Sequence, residues 1–227
     1  MDIKNDIHIM EMNDKLYQRL KQSELVIHAK VESVLRQISS WKYATHEFYV
    51  PAPYQNELAG LPNGRIRKNI EEKDRLKIAG LYSFGFNAEG KILCSQEAPD
   101  NIGNGIITDI YEYDNAFSYY VYHVKYIPNQ YTTIISISYF YPYHEMNIFQ
   151  GINSYKDWSV YLYEYDKERI SKVHRYASRW GNMPAEEYNF AYENNLLCAI
   201  VGEKRLKNGE LYIHWKIKKF ITRKDNP

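Results

Sequence analysis

From Leu76 onward the chain alternates apolar and polar side chains with a period of two, and this constrains the fold more than any other feature. In "QYTTIISISYFY", Tyr131, Thr133, Ile135, Ile137 and Tyr139 fall on one side. Thr132, Ile134, Ser136, Ser138 and Phe140 fall on the other. In "ELYIHWKIKKF", Ile213, Trp215 and Ile217 face one way, and Tyr212, His214, Lys216 and Lys218 the other. Successive side chains of a strand point to opposite faces of a sheet, so the pattern predicts half-buried strands with one drier face.

The strands carry a repeat. "FGFNAEGKIL" starts at Phe84, "YEYDNAFSYYV" at Tyr111, "YEYDKERISKV" at Tyr163 and "FAYENNLLCAI" at Phe190. A degenerate unit, "YFYPYHEMNIF", starts at Tyr139, and a last pair, "GEKRLKNGELYIHW", turns at Asn208-Gly209. Start-to-start steps of the four clear units are 27, 52 and 27 residues (84 to 111, 111 to 163, 163 to 190). The shared order is aromatic, any residue, aromatic, then Asn, Asp or Glu, a short polar turn and an apolar strand. Aromatics two apart share a face, and Asn87, Asp114 and Asp166 suit turn entry, with Asn194-Asn195 serving after Glu193. Such a period accommodates one hairpin and its connection, predicting consecutive antiparallel hairpins in one meander. The segments "YEYDNAF", "YEYDKERI" and "FAYENNLL" resemble the YD-repeat hairpins of Rhs-type proteins. They differ in keeping the turn glycine only at Gly90 and in a longer period. The resemblance implies a hairpin meander and no particular functional residue.

Ahead of the strands, residues 13–41 predict one long helix. Leu16, Leu20, Ile27, Val31, Val34, Ile38 and Trp41 form an apolar stripe at three- and four-residue steps or their sums. Asn13 or Asp14 caps its start, Arg36 complements the dipole at its end, and a continuous helix would run about 40 Å. Residues 42–75 hold Pro51, Pro53, Gly60, Pro62 and Gly64, so they read as connecting loops, with a short helical turn in "NIEEKDRLK". The expected fold is therefore α+β in a single domain, 1–227. The long N-terminal helix (1–41) packs on a large curved antiparallel β-meander of about eight to ten strands (76–223) built from repeated hairpins.

The formal net charge of +1 offers no argument for nucleic acid or for an anionic membrane. No apolar run approaches a membrane span, and no signal-peptide layout opens the chain. Cys94 and Cys198 are the two cysteines, which suits reduced thiols and a cytoplasmic location better than a disulfide framework. Seven histidines are scattered without HExxH or CxxC spacing, so no metal, cofactor or catalytic residue is assigned. His123 and His174 stand twelve and eleven residues into their units, an offset that places them on opposite faces unless a bulge intervenes. Asp114 and Asp166 read as turn formers, and the two thiols as buried and inert. Lysines and arginines crowd residues 204–224, reading first as protection of a terminal strand edge and second as a patch for an acidic partner surface or a nucleic acid.

The 23 tyrosines carry the functional expectation. Tyr111, Tyr113, Tyr120, Tyr122, Tyr161, Tyr163 and Tyr165, with His174, His214, Lys216 and Lys218, are the candidate partner-binding residues. Tyrosine brings large contact area at low entropy cost, so a cluster favours binding over catalysis. The expected function is a non-enzymatic protein-binding protein of immunity or antitoxin type. Two rivals stand beside it. One is a small-molecule or carbohydrate-binding domain; the other is an enzyme built on His123, His174 or His214 with nearby carboxylates.

Overall fold

The computed structural model describes residues 6–61, 64–99, 105–178, 186–194 and 196–202, and the backbone of 215–216. Among them run thirteen strands in one sheet. They are β1 (Ser40–Ala44), β2 (Ile66–Arg67), β3 (Tyr82–Phe86), β4 (Ile92–Glu97), β5 (Ile106–Tyr113), β6 (Tyr119–Ile127) and β7 (Tyr131–Tyr143). Then follow β8 (Met146–Asn153), β9 (Trp158–Asp166), β10 (Arg169–Ala177), β11 (Glu186–Glu193), β12 (Leu196–Gly202) and β13 (Trp215–Lys216). From β3 to β13 each strand pairs antiparallel with the next in sequence, as the repeat predicts. At the other edge β1 inserts between β2 and β3.

The expected single helix is two. α1 (Ile7–Leu20) and α2 (Glu24–Arg36) are separated by Lys21–Ser23. Ser23 takes extended backbone and its side chain accepts from the Val26 amide, so it starts a new helix instead of continuing the old one. The first cap is Asp6, which accepts from the amides of His8 and Ile9; Asn13 and Asp14 lie inside α1. Trp41 belongs to β1 rather than to a helical stripe. Ile9, Met12 and Leu16 on α1, and Ile27 and Val31 on α2, are the buried residues of the two helices. They meet Ile110, Tyr122, Val124, Ile137, Ile148 and Leu162 on one sheet face, the helix side.

An ion cluster fastens both helices to that face. Glu112 on β5 accepts from Arg19 of α1 at 2.8 Å and from Lys30 of α2. Both cations also reach the Tyr122 hydroxyl, and Arg19 lies 3.7 Å over the Tyr120 ring. Burial alone would raise the Glu112 pKa, but Lys30 and Arg19 hold it below the usual carboxyl range. Glu112→Ala leaves two cations facing each other over buried rings. It should cost about 2 kcal/mol in urea denaturation, with Glu112→Gln losing about half as much. A loss below about 0.5 kcal/mol would show that the cluster is decorative.

The opposite face is covered differently. Segment 47–58, including the one-turn helix α3 (Gln55–Leu58), lies against it. Tyr49 packs on Phe84 at 5.0 Å, the Pro51 carbonyl accepts from Tyr119 at 2.7 Å, and Tyr54 packs on Phe190 at 5.2 Å. Ala52 and Leu58 join Phe140, Phe149, Tyr163, Val173, Tyr188 and Ile200 in a second core. The loop expected at 42–75 thus supplies a lid of apolar residues, and its short helical turn is the 3-10 turn Glu72–Asp74.

Two of the four bulges among the described strands decide which side chains of β7 and β10 reach each core. Opposite His123 and Val124, β7 carries the extra residue Ile135, so strict alternation along "YTTIISISY" fails there. Ile134 lies on the helix side before the bulge, and Ile137, Tyr139 and Tyr141 lie there after it. The degenerate repeat unit is therefore out of phase: Phe140, not Tyr139, joins the aromatics of the second core. A second bulge between Ile170 and Lys172 brings Ile170 into that core too.

Candidate functional site

On the face opposite the helices, the tyrosine side, strand pairing brings polar residues of four strands into one transverse row. Ser95 pairs with Asp109, Asp109 with His123, and His123 with Ser136. Direct cross-strand neighbours on one face stand about 5 Å apart, close enough for side chains to bond. Asp109 is buried; its two oxygens bond His123 Nδ1 at 2.7 Å and the Ser95 hydroxyl at 3.1 Å. From the covering segment Glu47 joins this group, and Tyr82 and Glu97, paired across β3 and β4, flank it.

The charges perturb one another. Burial first, then the Asp109 carboxylate and finally Glu97, push Glu47 up to about 7, against the smaller pull of His123. Burial works to lower the His123 pKa, but the bond to Asp109 and the nearby Glu47 and Glu97 leave it raised. Tyr82 is pushed up by burial and by Glu97. Tyr111, two residues along β5 from Asp109, is 5% exposed, and its hydroxyl has no hydrogen-bond partner among the described residues. Among the described residues no group of three or more His, Cys, Asp or Glu side chains is arranged to hold a metal ion.

A second polar group lies on the helix side of β9, β10 and β11, beyond the strands that the helices cover. His174 Nε2 is 2.8 Å from Glu164, and its Nδ1 is 3.6 Å from Glu187. Glu187 also pairs with Lys172 at 3.1 Å. His123 and His174 thus sit on opposite faces, each with its own carboxylates; the bulge between Ile170 and Lys172 lies within the unit that holds His174, so the placement rests on that bulge as well as on their offset. The two do not form one site.

The candidate partner-binding residues divide sharply. Tyr111, Tyr120, Tyr122 and Tyr163 are buried, while Tyr113, Tyr161, Tyr165 and His174 are half-buried. Tyr120 and Tyr122 meet the helices. Tyr161, Tyr163 and Tyr165 face away from them into the second core. The expected open tyrosine surface is thereby a pair of packed ladders, because segment 47–58 closes the face that the helices leave. His214 and Lys218 lie outside the described residues, as do Asn208-Gly209 and most of the basic cluster; Lys216 lies on β13, paired with Ala199. Of the two thiols, Cys94 is buried and pushed up to about 12 by desolvation, an inert state, while Cys198 is half-buried.

Recesses open on the surface at both ends of the polar row. One of about 430 Å³ is lined by Ser136, Ser138, Gly151, Asn153, Asp157 and Ser159 with their neighbours. Another of about 530 Å³ lies between His46, Ile78, Tyr82 and Glu97. No described helix is long and apolar enough to cross a membrane. No protein-family model, curated protein or solved structure matches the chain.

The Asp109–His123 pair was findable in the sequence. A hairpin centred on residue 116 pairs positions whose numbers sum to 232, as Tyr113 with Tyr119 and Asp109 with His123. Glu47 carried no such signal, because nothing local says which strand a loop will cross.

Proposed function

We propose that the protein is a non-enzymatic binding protein whose partner is another protein, bound on the helix side of β9–β12 next to α1. One observation carries this reading: among the described residues the helices pack mainly on β4, β7 and β8 and reach Leu162 of β9, leaving the same face of the strands beyond β9 largely without a helical cover. Lys172, His174, Tyr176, Glu187 and Asn189 stand half-exposed there. They make a polar field with an aromatic at one end, and such a mix suits a non-obligate protein interface. The tyrosine ladders serve this surface from beneath, by stiffening the sheet. A role as an immunity or antitoxin-like protein in the cytoplasm belongs to the same proposal and rests on the hairpin resemblance and the two unpaired cysteines.

A curved sheet is also part of the reading. In a flat sheet β3 and β11, eight strands apart, would lie about 38 Å from each other. Yet Tyr49 touches the first and Tyr54 the second, and five residues of chain span at most about 18 Å. Curling around segment 47–58 relieves the mismatch.

Affinity purification of the tagged protein from its native cells tests the reading, run beside a Lys172→Glu, His174→Ala, Tyr176→Ala triple variant. A stoichiometric protein partner that the triple variant loses at least tenfold supports it. A partner held equally well by the variant, or no partner after cross-linking, would remove it.

A further inference from the structure

The tyrosine side of the sheet steps down between two neighbouring rows. Phe140, Phe149, Tyr161 and Arg175 stand side by side across β7, β8, β9 and β10. One step along the same strands, the next row on that face is Ser138, Gly151, Ser159 and Ala177. Segment 47–58 seats on the large row, where Ala52 and Leu58 share a core with Phe140 and Phe149. The recess of about 430 Å³ opens over the small row, and no residue of segment 47–58 lines it. Ser136 and its cross-strand partner Asn153 extend the floor, and the β8–β9 turn brings Tyr155 and Asp157 to its rim.

Gly151 keeps that floor open. Its backbone is not left-handed, so conformation does not call for glycine. A Cβ there would stand 2.5 Å from the Ser138 hydroxyl oxygen, so any larger residue pushes the hydroxyl aside and fills the recess. Glycine inside a strand weakens it, and it marks a place that must stay open to close approach. The hydroxyls of Ser136, Ser138 and Ser159 line the recess without a hydrogen-bond partner among the described residues. Asp157 accepts from Asn153 at 3.3 Å through Oδ2, which leaves Oδ1 open. Tyr155 is 85% exposed, so its ring face is free. The Trp158 ring packs on the helix-side core instead.

We propose that this recess binds a sugar, a neutral ring rich in hydroxyl groups, held by Ser136, Ser138, Ser159 and Asp157 with Tyr155 over its C–H face. Serine hydroxyls both donate and accept, as sugar hydroxyls do, and the carboxylate oxygen accepts from one more. The Tyr155 ring supplies apolar area with a polar tip. The volume lies within the range of about 300–1,000 Å³ of small-molecule sites. No lysine, arginine or histidine lines the recess, so an anion finds no countercharge there. One carboxylate with no histidine or cysteine does not make a metal site. The recess lies on the opposite face from the proposed protein-binding surface and does not depend on it.

Saturation-transfer NMR on the whole chain tests this with glucose, galactose, N-acetylglucosamine and their methyl glycosides. Saturable binding of at least one of them supports the site, provided that Tyr155→Ala and Ser138→Ala each weaken it about fivefold. Ser159→Val, which fills the floor, should abolish it. Tyr155 sits on an exposed turn, so Tyr155→Ala reports even where Ser159→Val lowers the urea midpoint. A methyl glycoside bound more tightly than its free sugar identifies the end of a glycan, and any other order a free sugar; either supports the class. No saturable binding of any of these sugars would overturn the proposal. Unchanged binding by Tyr155→Ala or by a folded Ser159→Val protein would overturn it too. So would equal binding of gluconate, which keeps the hydroxyls but has no ring and carries a negative charge.

Discussion

Truncating Tyr163 to alanine should destabilise the protein by about 4 kcal/mol, whereas Tyr163→Phe should leave it at least as stable. The ring is fully buried in β9, where it faces the second core. Phe140 lies 6.3 Å away, and Val173 stands opposite it on β10. Removing the ring opens a cavity between the sheet and segment 47–58, and a small loop with α3 has little freedom to collapse into it. The hydroxyl is a separate matter. It has no hydrogen-bond partner among the described residues, and burial pushes its pKa far above the ordinary value. Deleting it relieves an unmet polar group, so Tyr163→Phe should gain up to about 1 kcal/mol. Urea denaturation of the three proteins decides. A Tyr163→Ala protein within about 1 kcal/mol of the parent would mean that the second core is not closed as described.

That contrast says what the recurrent hairpin is for. Phe84, Tyr111, Tyr163 and Phe190 open four repeat units on strands separated by up to eight pairings, yet all lie on the tyrosine side. Repetition at two strands per unit returns each aromatic to the same face, and the repeat is thereby a rule for building a core. This much was legible, because period two and hairpin turns are local properties. Ile135 was not legible: a bulge is set by how β6 and β7 close together, and alternation along β7 alone reads straight through it. Ser23 was legible in principle. A serine followed by Glu24 inside an apolar stripe is an N-cap signal, but the stripe on both sides keeps helical spacing and masks the break. The partial burial of Tyr161 and Tyr165 depended on Ala52, Tyr54 and Leu58 crossing the sheet, a long-range event that Pro51 and Pro53 disguise as a loop. Half of the charged site followed from hairpin arithmetic and the other half, Glu47, from that same crossing.

The same crossing makes stability depend on pH, and the sign follows from the protons. Glu47 ordinarily titrates at 4.5 and is raised to about 7 in the folded protein, so between these values the folded state binds more protons than the unfolded one. Stability should therefore fall as pH rises through this interval. His123 acts in the same direction: its pKa is raised above 6.5, so the stability it brings below 6.5 is lost as pH rises through the folded value. Glu112 and Glu187 act oppositely, but both are held below 4.5, so their stabilisation is complete above about pH 5 and is lost only in more acid solution. Between pH 5 and pH 8 the raised groups dominate. The protein should be about 2 kcal/mol less stable at pH 8 than at pH 5, a figure reduced from the full shift because the Glu47 side chain is only half-buried. Glu47→Gln keeps the shape and removes the charge, so it should restore most of that loss at pH 8 and flatten the profile to the His123 part. Urea midpoints for parent and variant at pH 5, 6.5 and 8 provide the measurement. Parallel profiles would show that Glu47 does not carry a proton at neutral pH.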